Sequence, residues 1–441
     1  MSVFKSKPKT KRKGTTYDKF KRKISNYNQE MVAVGQEIGD IPAVVNPARR
    51  EACRLNLELF CQLYFPEVFY LKFSETHIKV IKQLQETAIK GGQYVLAMPR
   101  ASGKTAIMSA AAIWAIAYGH RRFIVAVAAN ADKAMEITSD IKRWVEESDL
   151  LFEDFPEICF PIRKLERITH RQRGQKCGGK PTKIDWSGNK ICFPSIENSL
   201  SSGAVISSTG MTGGEIRGQK AIDARGGVMR PDFVLIDDPQ TRESAESPTQ
   251  CDKREKIIEG DVLCMAGPGK TIAAFCTCTV IQQGDLADRI LDRKLHPEWH
   301  GERYKMLVKE PVNTKLWEEY ADILKDDHRN DGDGSQATEF YRLHRAEMDE
   351  GAEVYWEERF EKSELSALQN AMNLRIKKPL VFASEYQNEP DSNTVSEAML
   401  TVDEIAGKLN SLNKGVVPIG VDHLTAFIDV QKEILFYCVC G

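Results

Sequence analysis

The sequence predicts an α/β fold built on a mostly parallel sheet that helices cover on both faces. Short runs that are apolar at every position recur along the chain, and segments with helical periodicity separate them. Strands that alternate with helices are typical of parallel sheets, and continuously apolar strands indicate burial on both faces. A chain of 441 residues, 42% of them hydrophobic, is long enough for one large domain of this class with smaller additions.

The predicted elements follow one another in an order that fits this class. Apolar residues at helical spacing predict two helices between residues 50 and 90. The predicted strands of the sheet are residues 94–98, 123–128, 204–208, 233–236 and 271–278. Further helices are predicted at residues 106–118, which are apolar on every side, at residues 131–148, which are amphipathic, and at residues 338–375.

Positive charge is concentrated in two segments, although the formal net charge is only −2. Residues 1–23 carry ten Lys or Arg against the single acid Asp18, and we expect residues 1–45 to form a flexible basic arm. Residues 163–190 carry nine Lys or Arg against two acids, which predicts a basic loop or hairpin inserted in the main domain. Both segments could neutralise the phosphates of double-stranded DNA, although charged surfaces are often simply solvated.

Export, membrane insertion and a zinc site are all disfavoured. The chain has no apolar run of membrane-spanning length, and its basic arm lacks the apolar core of a secretory signal. Its eleven cysteines are scattered and lack the paired Cys-x-x-Cys spacing that is typical of zinc sites. We therefore expect buried free thiols in an intracellular protein.

The most informative segment is a polar loop between the first predicted strand and an apolar helix. Its residues are Pro99, Arg100, Ala101, Ser102, Gly103, Lys104 and Thr105. In a P-loop the backbone N–H groups wrap phosphates, the Lys reaches the β- and γ-oxygens, and the hydroxyl residue binds Mg²⁺. Met98 stands where that motif has its first glycine, so a chance Gly-Lys-Thr at a helix start is the alternative.

Two adjacent carboxylates end an apolar strand downstream of this loop. We expect Asp237 to hold Mg²⁺ together with Thr105, and Asp238 to orient and deprotonate the attacking water. Two acids at a strand end could also be a simple turn. The sequence thus predicts hydrolysis of Mg-ATP, with Lys104 and both acids converging on one triphosphate from adjacent strands of the sheet.

Phosphoryl transfer also needs a cation where charge develops on the γ-phosphate. Arg100 lies inside the loop and is one candidate. Arg217 is a second, because the glycines around it allow the backbone to approach a ligand closely. A structural salt bridge or a contact to DNA phosphate is the alternative role of either arginine.

Taken together and in their order along the chain, motifs within residues 55–440 resemble those of the large terminase subunits of tailed phages. The resemblance rests on residues 99–105, 216–218, 230–233, 237–239, 285–286 and 382–390, and on Thr279. It implies a DNA-packaging ATPase of the ASCE or RecA-like P-loop class, in which Thr279 senses the γ-phosphate and couples hydrolysis to DNA movement. Many members of this family carry Glu at the position of Asp238, which leaves the expected rate open.

The resemblance also implies a second domain, an RNase H-like nuclease in which clustered acids hold two metal ions. Residues 424–429 and 433–439 are similar to its opening β-hairpin, with Asp429 as the first metal ligand. The sequence stops at Gly441 before partner acids appear, so we expect no nuclease activity from this chain, which would be a fragment or the product of a truncated or split gene.

The sequence predicts four parts along the chain, and the resemblance implies a set of partners. The parts are the arm at residues 1–45, the ATPase domain at 46–325, a flexible break with a helical linker at 326–414, and the first nuclease hairpin at 415–441. By resemblance, the partners are double-stranded DNA, the portal protein, a small terminase subunit and further copies of the chain in a ring, all in the host cytoplasm.

Two other functions stay open at this stage. The first is a helicase-like DNA translocase, which is disfavoured because residues after 290 offer no second series of apolar strands with Gly-rich and Arg motifs. The second is a scaffold that binds nucleotide without hydrolysing it, which would result if Asp238 fails as a base.

Overall fold

The computed structural model describes most of the chain. The described residues are 36–211, 216–222, 227–267, 269–390, 416–417, 420–430 and 435–440. They belong to two compact units, within Met1–Asp391 and Ser392–Gly441. Residues 1–35 of the predicted arm and residues 391–414 of the predicted linker lie outside the described part.

A seven-stranded sheet, counted over the described residues, forms the centre of the first unit. In chain order its strands are β1 (Gln93–Ala97), β2 (Phe123–Ala128), β3 (Lys190–Cys192), β4 (Val205–Gly210), β5 (Phe233–Asp237), β6 (Ala273–Cys278) and β7 (His300–Arg303). Across the sheet the order is β7–β1–β6–β5–β2–β4–β3, and only β3 runs antiparallel to its neighbour among these described strands. The predicted mostly parallel α/β sheet is confirmed.

One expectation about this sheet is wrong. The loop strand β1 and the acid strand β5 are not adjacent, because β6 pairs in parallel with both and lies between them. Strand β6 leads directly to Thr279, so this residue reaches the carboxyl end of the sheet between the loop and the acids.

Helices cover both faces of the sheet. In chain order the helices of the first unit are α1 (Pro47–Ala52), α2 (Leu57–Tyr64), α3 (Glu75–Lys90), α4 (Lys104–Ala117), α5 (Ala131–Glu147), α6 (Asp149–Asp154), α7 (Pro156–Arg163), α8 (Arg242–Ala245), α9 (Pro248–Ile257), α10 (Leu286–Leu291), α11 (Thr314–Arg329), α12 (Ser335–Asp349), α13 (Ala367–Lys377) and α14 (Pro379–Val381). A π-helical turn, Ile258–Val262, continues α9, and another, Phe382–Tyr386, continues α14.

Successive residues of each central strand enter opposite hydrophobic cores. In β5, Phe233 and Leu235 join the core formed with α2 to α7, whereas Val234 and Ile236 join the core formed with α10 and the turn Ile258–Val262. The period-two alternation of side chains along a strand produces this division, and it explains why these strands are apolar at every position.

The two helices predicted between residues 50 and 90 are observed as α2 and α3, and the shorter helix α1 begins before them. The helices have separate caps: the side chain of Asn46 accepts from the Arg49 N–H at the start of α1, and that of Asn56 accepts from the Leu59 N–H at the start of α2. Ser74 caps α3 in the same way. Each cap satisfies a backbone donor and begins a new helix.

The basic segment 163–190 is a folded insertion. It contains a 3₁₀ turn, Thr169–Gly174, and two short antiparallel strands, Gln175–Cys177 and Lys180–Pro181. The first of these strands pairs with Gln36–Glu37, so the end of the predicted arm is part of a small sheet.

The end of the first unit is helical, with a hydrophobic core of its own that includes Trp317, Tyr320 and Tyr341. The break predicted at residues 326–336 is instead a tight turn between α11 and α12, in which the Asp327 carboxylate accepts from the Gly334 N–H at 2.8 Å. The helix predicted at 338–375 is interrupted. Helix α12 ends at Asp349, and the strand Glu353–Val354 that follows pairs with Leu307–Lys309.

The second unit contains an antiparallel hairpin of strands Thr425–Val430 and Leu435–Cys440, which agrees with the hairpin predicted there. Asp429 lies on the first strand, opposite Phe436; its role as a metal ligand stays a prediction. Across the described residues, no helix combines the length and apolar character that crossing a membrane requires. Nine cysteines of the described part are free thiols; six are buried as expected, whereas Cys177 and Cys192 are half-buried and Cys264 is exposed.

Candidate functional site

The loop that joins β1 to α4 ends in a helix start with free backbone donors. Gly103 is the N-cap of α4 with a φ of 75°, a left-handed conformation that glycine adopts without steric cost. The first N–H groups of a helix have no intrahelical partners, and at the start of α4 no side chain of the described residues caps them. Such a helix start attracts anions through these groups and through the positive end of the helix dipole.

Lys104 is the first residue of α4, and its side chain is only 7% exposed. Its ammonium donates to the Met98 carbonyl at 3.2 Å, to the Cys278 carbonyl at 3.5 Å and to the Thr279 hydroxyl at 2.8 Å. The same Nζ lies 3.6 Å from Oδ1 of Asp238. The ends of β1, β5 and β6 therefore meet around one ammonium group.

A hydroxyl and a buried carboxylate lie next to this ammonium. Thr105 Oγ1 donates to Asp237 Oδ2 at 2.5 Å, and Thr277 Oγ1 donates to Asp237 Oδ1 at 2.8 Å. Burial raises the pKa of Asp237 to about 6, and the neighbouring charge of Asp238 acts in the same direction. A cation would stabilise the ionised form, and hard oxygen donors of this kind are those that Mg²⁺ prefers. Thr105 and Asp237 thus fit a magnesium site.

The second acid is more accessible than the first. The side chain of Asp238 is 48% exposed, and its Oδ1 accepts from the Thr279 hydroxyl at 3.2 Å. Its backbone has a φ of 38°, and its N–H donates to the Thr277 carbonyl at 2.9 Å. A carboxylate that is reachable by water and adjacent to Lys104 can accept a proton from a water molecule.

Arg100 meets an acid that the sequence did not single out. Its Nη1 donates to Glu385 Oε2 at 2.5 Å, and its backbone N–H donates to the Glu385 carbonyl at 2.8 Å. Arg242, just after the paired acids, donates to Glu385 Oε1 at 2.5 Å. Burial favours a higher pKa for Glu385, but the hydrogen bonds from Arg100 and Arg242 hold its pKa below the usual value. Glu385 therefore links the helical part of the unit to both sides of the site.

The geometry does not bring Arg217 to the loop. Its Nε donates to Asp261 Oδ1 at 2.5 Å, and its side chain is 79% exposed. Asp261 lies on the π-helical turn after α9. Arg217 thus forms a salt bridge with Asp261, which is the alternative role that the sequence left open for it.

A buried histidine of α3, His77, contacts the loop. His77 Nε2 lies 3.1 Å from the Ser102 carbonyl, and Nδ1 lies 2.8 Å from the Ser74 hydroxyl. Its ring packs at 4.5 Å, centroid to centroid, against Trp356 of the helical part. Burial lowers the pKa of His77 to about 4. A single histidine on a helix gives no signal in the sequence, so its contact with the loop was not predicted.

A cavity of about 770 Å³ opens against the same loop. Its wall is largely apolar and aromatic, and includes Phe73, Ala101, Ile107, Trp356 and Tyr386. Its volume is within the usual range of small-ligand pockets, roughly 300–1,000 Å³.

A parallel sheet with a Gly-Lys-Thr loop between a strand and its helix, and with acids ending a nearby strand, defines the P-loop class of α/β proteins. No known family model and no curated protein matches this sequence. Among solved structures, the chain is similar to a variant of the Thermus phage P74-26 large terminase ATPase domain, with 13% identity and a TM-score of 0.36 over 74% of this chain and 98% of that chain. It is also similar to the HK97 bacteriophage large terminase, with 12% identity and a TM-score of 0.41 over 88% of this chain and 67% of that chain.

Proposed function

We propose that this chain is an ATP-hydrolysing motor that moves double-stranded DNA. The observation that carries the proposal is the convergence of Lys104, Asp238 and Thr279 at the carboxyl end of the sheet, with distances of 2.8 Å to 3.6 Å between their polar atoms. An ammonium, an accessible carboxylate and a hydroxyl next to a free helix start are the groups that triphosphate hydrolysis requires.

Each residue of the site has a distinct role in this proposal. The loop N–H groups and Lys104 bind the phosphates, and the nucleoside extends into the cavity beside Ala101. Thr105 and Asp237 would hold Mg²⁺, which neutralises phosphate charge when it is bound. Asp238 orients a water molecule and takes its proton as the water oxygen attacks the γ-phosphorus and the bond to the leaving ADP oxygen breaks.

Two further residues complete the mechanism. Arg100 stabilises the charge that develops on the γ-phosphate, at the position where Glu385 holds it beside the loop. Thr279 contacts both Lys104 and Asp238, so it is suited to transmit the nucleotide state along β6. We infer that this contact couples hydrolysis to the DNA-gripping surface.

The kind of motor is proposed from the motifs. Their order resembles that of large terminases, which supports packaging of viral DNA into a procapsid in the host cytoplasm. The proposed partners are the portal protein, a small terminase subunit and further copies of this chain in a ring. A helicase-like translocase is less well supported, because the described residues contain one motor-type sheet rather than two.

The test is steady-state ATP hydrolysis by the wild type and by Lys104→Ala, each with and without double-stranded DNA. We expect magnesium-dependent turnover that DNA increases, and a loss of at least about 100-fold in the variant, because the cation on the phosphates is removed. Thermal unfolding of both proteins controls for folding. Equal background turnover in both would refute the enzyme and favour a nucleotide-binding scaffold.

A further inference from the structure

Two buried side chains hold the turn that follows the paired acids, and among the described residues none of their hydrogen bonds goes to the loop at residues 99–105. The first is Gln240, which is 6% exposed. Its Nε2 donates to the Thr279 carbonyl at 3.1 Å and to Asp285 Oδ2 at 2.7 Å. Asp285 in turn accepts from the Ile281 N–H at 2.8 Å and from the Gln282 N–H at 3.0 Å. One amide group thus joins the acid turn to the turn after β6.

The second is Arg254, a cation on α9 that is 6% exposed. Its Nη1 donates to the Pro239 carbonyl at 2.6 Å and to the Ala129 carbonyl at 3.2 Å. Among the described residues no acid lies within ion-pair distance of it, and burial lowers its pKa. Burying a cation without a counter-charge is costly, so its place here is maintained by the carbonyls that it fixes.

Asp238 needs such support because its backbone is strained. Its φ of 38° is uncommon for a residue with a side chain, and conformations of this kind persist only where the surroundings hold them. The following residue, Pro239, is fixed by Arg254, and the next, Gln240, is fixed to the segment of Thr279. The chain is therefore fixed at the two residues that directly follow Asp238.

We propose that Gln240 and Arg254 are positioning residues, which hold the Asp238 carboxylate in the place where it takes a proton from water and keep it in register with Thr279. The inference rests on the proposed function, because it assigns both residues to the hydrolysis step. None of the hydrogen bonds of these two residues goes to the loop, so we expect both to act on turnover and not on nucleotide binding.

The first experiment replaces Gln240 with an apolar residue of similar length. Gln240→Met should lower kcat by about 10- to 100-fold, because small displacements of a catalytic group have effects of this size. The KM for ATP and the dissociation constant of ADP should stay within about twofold of the wild type, since the phosphate contacts are unchanged. Gln283→Met, at an exposed position of the next turn, is the matched control and should leave kcat unchanged.

The second experiment separates positioning from general destabilisation. In an Asp238→Asn background, Gln240→Met should cause no further loss of turnover, because a residue that acts through Asp238 has nothing left to position. Arg254→Met should also lower kcat, and Arg254→Lys should restore part of it by donating to the Pro239 carbonyl. Equal losses from Gln240→Met in both backgrounds, or a parallel rise in KM, would overturn the inference.

Failure of the proposed function can be told apart from failure of this inference. If the wild type has no Lys104-dependent turnover, the motor itself is refuted. Hydrogen exchange then still tests whether Gln240 holds the two turns, because Gln240→Met should speed exchange at residues 237–241 and 279–282 while Gln283→Met does not. Unchanged exchange in both variants would show that Gln240 holds neither turn.

Discussion

The loop around Lys104 and the basic segment 163–190 are both rich in positive charge, but their charges have different environments. The Lys104 ammonium is buried and surrounded by oxygens from three separate segments. In the basic segment, the side chains of Arg167 and Lys180 are 74% and 68% exposed, and each pairs with an acid on the surface, Glu147 at 2.9 Å and Glu197 at 2.6 Å.

This difference separates the two regions: at Lys104 a bound phosphate would meet a cation that is fixed in place, whereas the segment 163–190 would only attract phosphates. A buried ammonium held by several groups is fixed in place, so its removal leaves acceptors without a donor and should be costly. Exposed ion pairs contribute about 0–1 kcal/mol each and exchange readily with other ions. Charge alone therefore does not identify the functional site, whereas convergence of segments does.

The two candidate arginines give the largest contrast. Arg100→Ala should lower kcat about 10²- to 10³-fold, the usual cost of removing one group that stabilises charge in the transition state. Arg217→Ala should change kcat less than about twofold, because this side chain is exposed and pairs with Asp261. Steady-state ATPase assays of both variants decide between them.

A result in the opposite direction would break the contrast. If Arg217→Ala were the more damaging change, a surface arginine would have to reach the site, for example in another copy of the chain. Asp261→Asn tests whether loss of the ion pair alone affects turnover, since it removes the partner of Arg217 and leaves the loop intact. Normal turnover in Asp261→Asn is expected.

The fold was predictable where the local pattern is strong. Strand β2 was predicted with the same ends as observed, Phe123–Ala128, because each of its residues is apolar and buried. Strand β7 was missed, because His300 to Arg303 are polar and pair only at the edge of the sheet beside β1. The position of β6 between β1 and β5 is a non-local pairing that no local pattern contains.

The site was predictable only where a motif is contiguous. Residues 99–105 and the two acids lie together as the sequence led us to expect, and their roles stay predictions. Glu385 was missed because it lies 285 residues after Arg100, in a segment interpreted as a linker. The pairing of Arg217 with Asp261 was not predictable, because neighbouring glycines describe backbone freedom and do not describe the position of the side chain.

His77 gives the second contrast, because it is a buried titratable group under the loop. Its folded-state pKa of about 4 lies below its ordinary value of 6.5, so between these values the unfolded chain binds a proton that the folded chain excludes. Its contribution to stability is present above pH 6.5 and is lost as the pH falls toward 4. We expect a loss of about 2 kcal/mol between pH 7.5 and pH 5 from this residue.

Urea unfolding of the full chain across this pH range measures the effect. His77→Gln should flatten this part of the pH dependence, because the amide can still donate to the Ser102 carbonyl but does not titrate. His170→Gln, an exposed histidine of the basic segment, is the control and should keep the wild-type pH dependence. An unchanged slope in His77→Gln would show that another group causes the loss.

The smallest effect is expected in the basic segment itself. Arg167→Ala removes the exposed pair with Glu147 and a longer contact of 3.6 Å with Glu146, and should change the free energy of unfolding by less than about 1 kcal/mol, with no change in ATP hydrolysis. If the segment contacts DNA, the same variant should reduce the slope of log affinity against log salt by about 1, because one phosphate contact is lost. A destabilisation above about 2 kcal/mol would mean that this pair is part of the folded structure rather than an exchangeable charge. The contrast with Lys104 would then fail, since charges in both regions would be fixed by their surroundings.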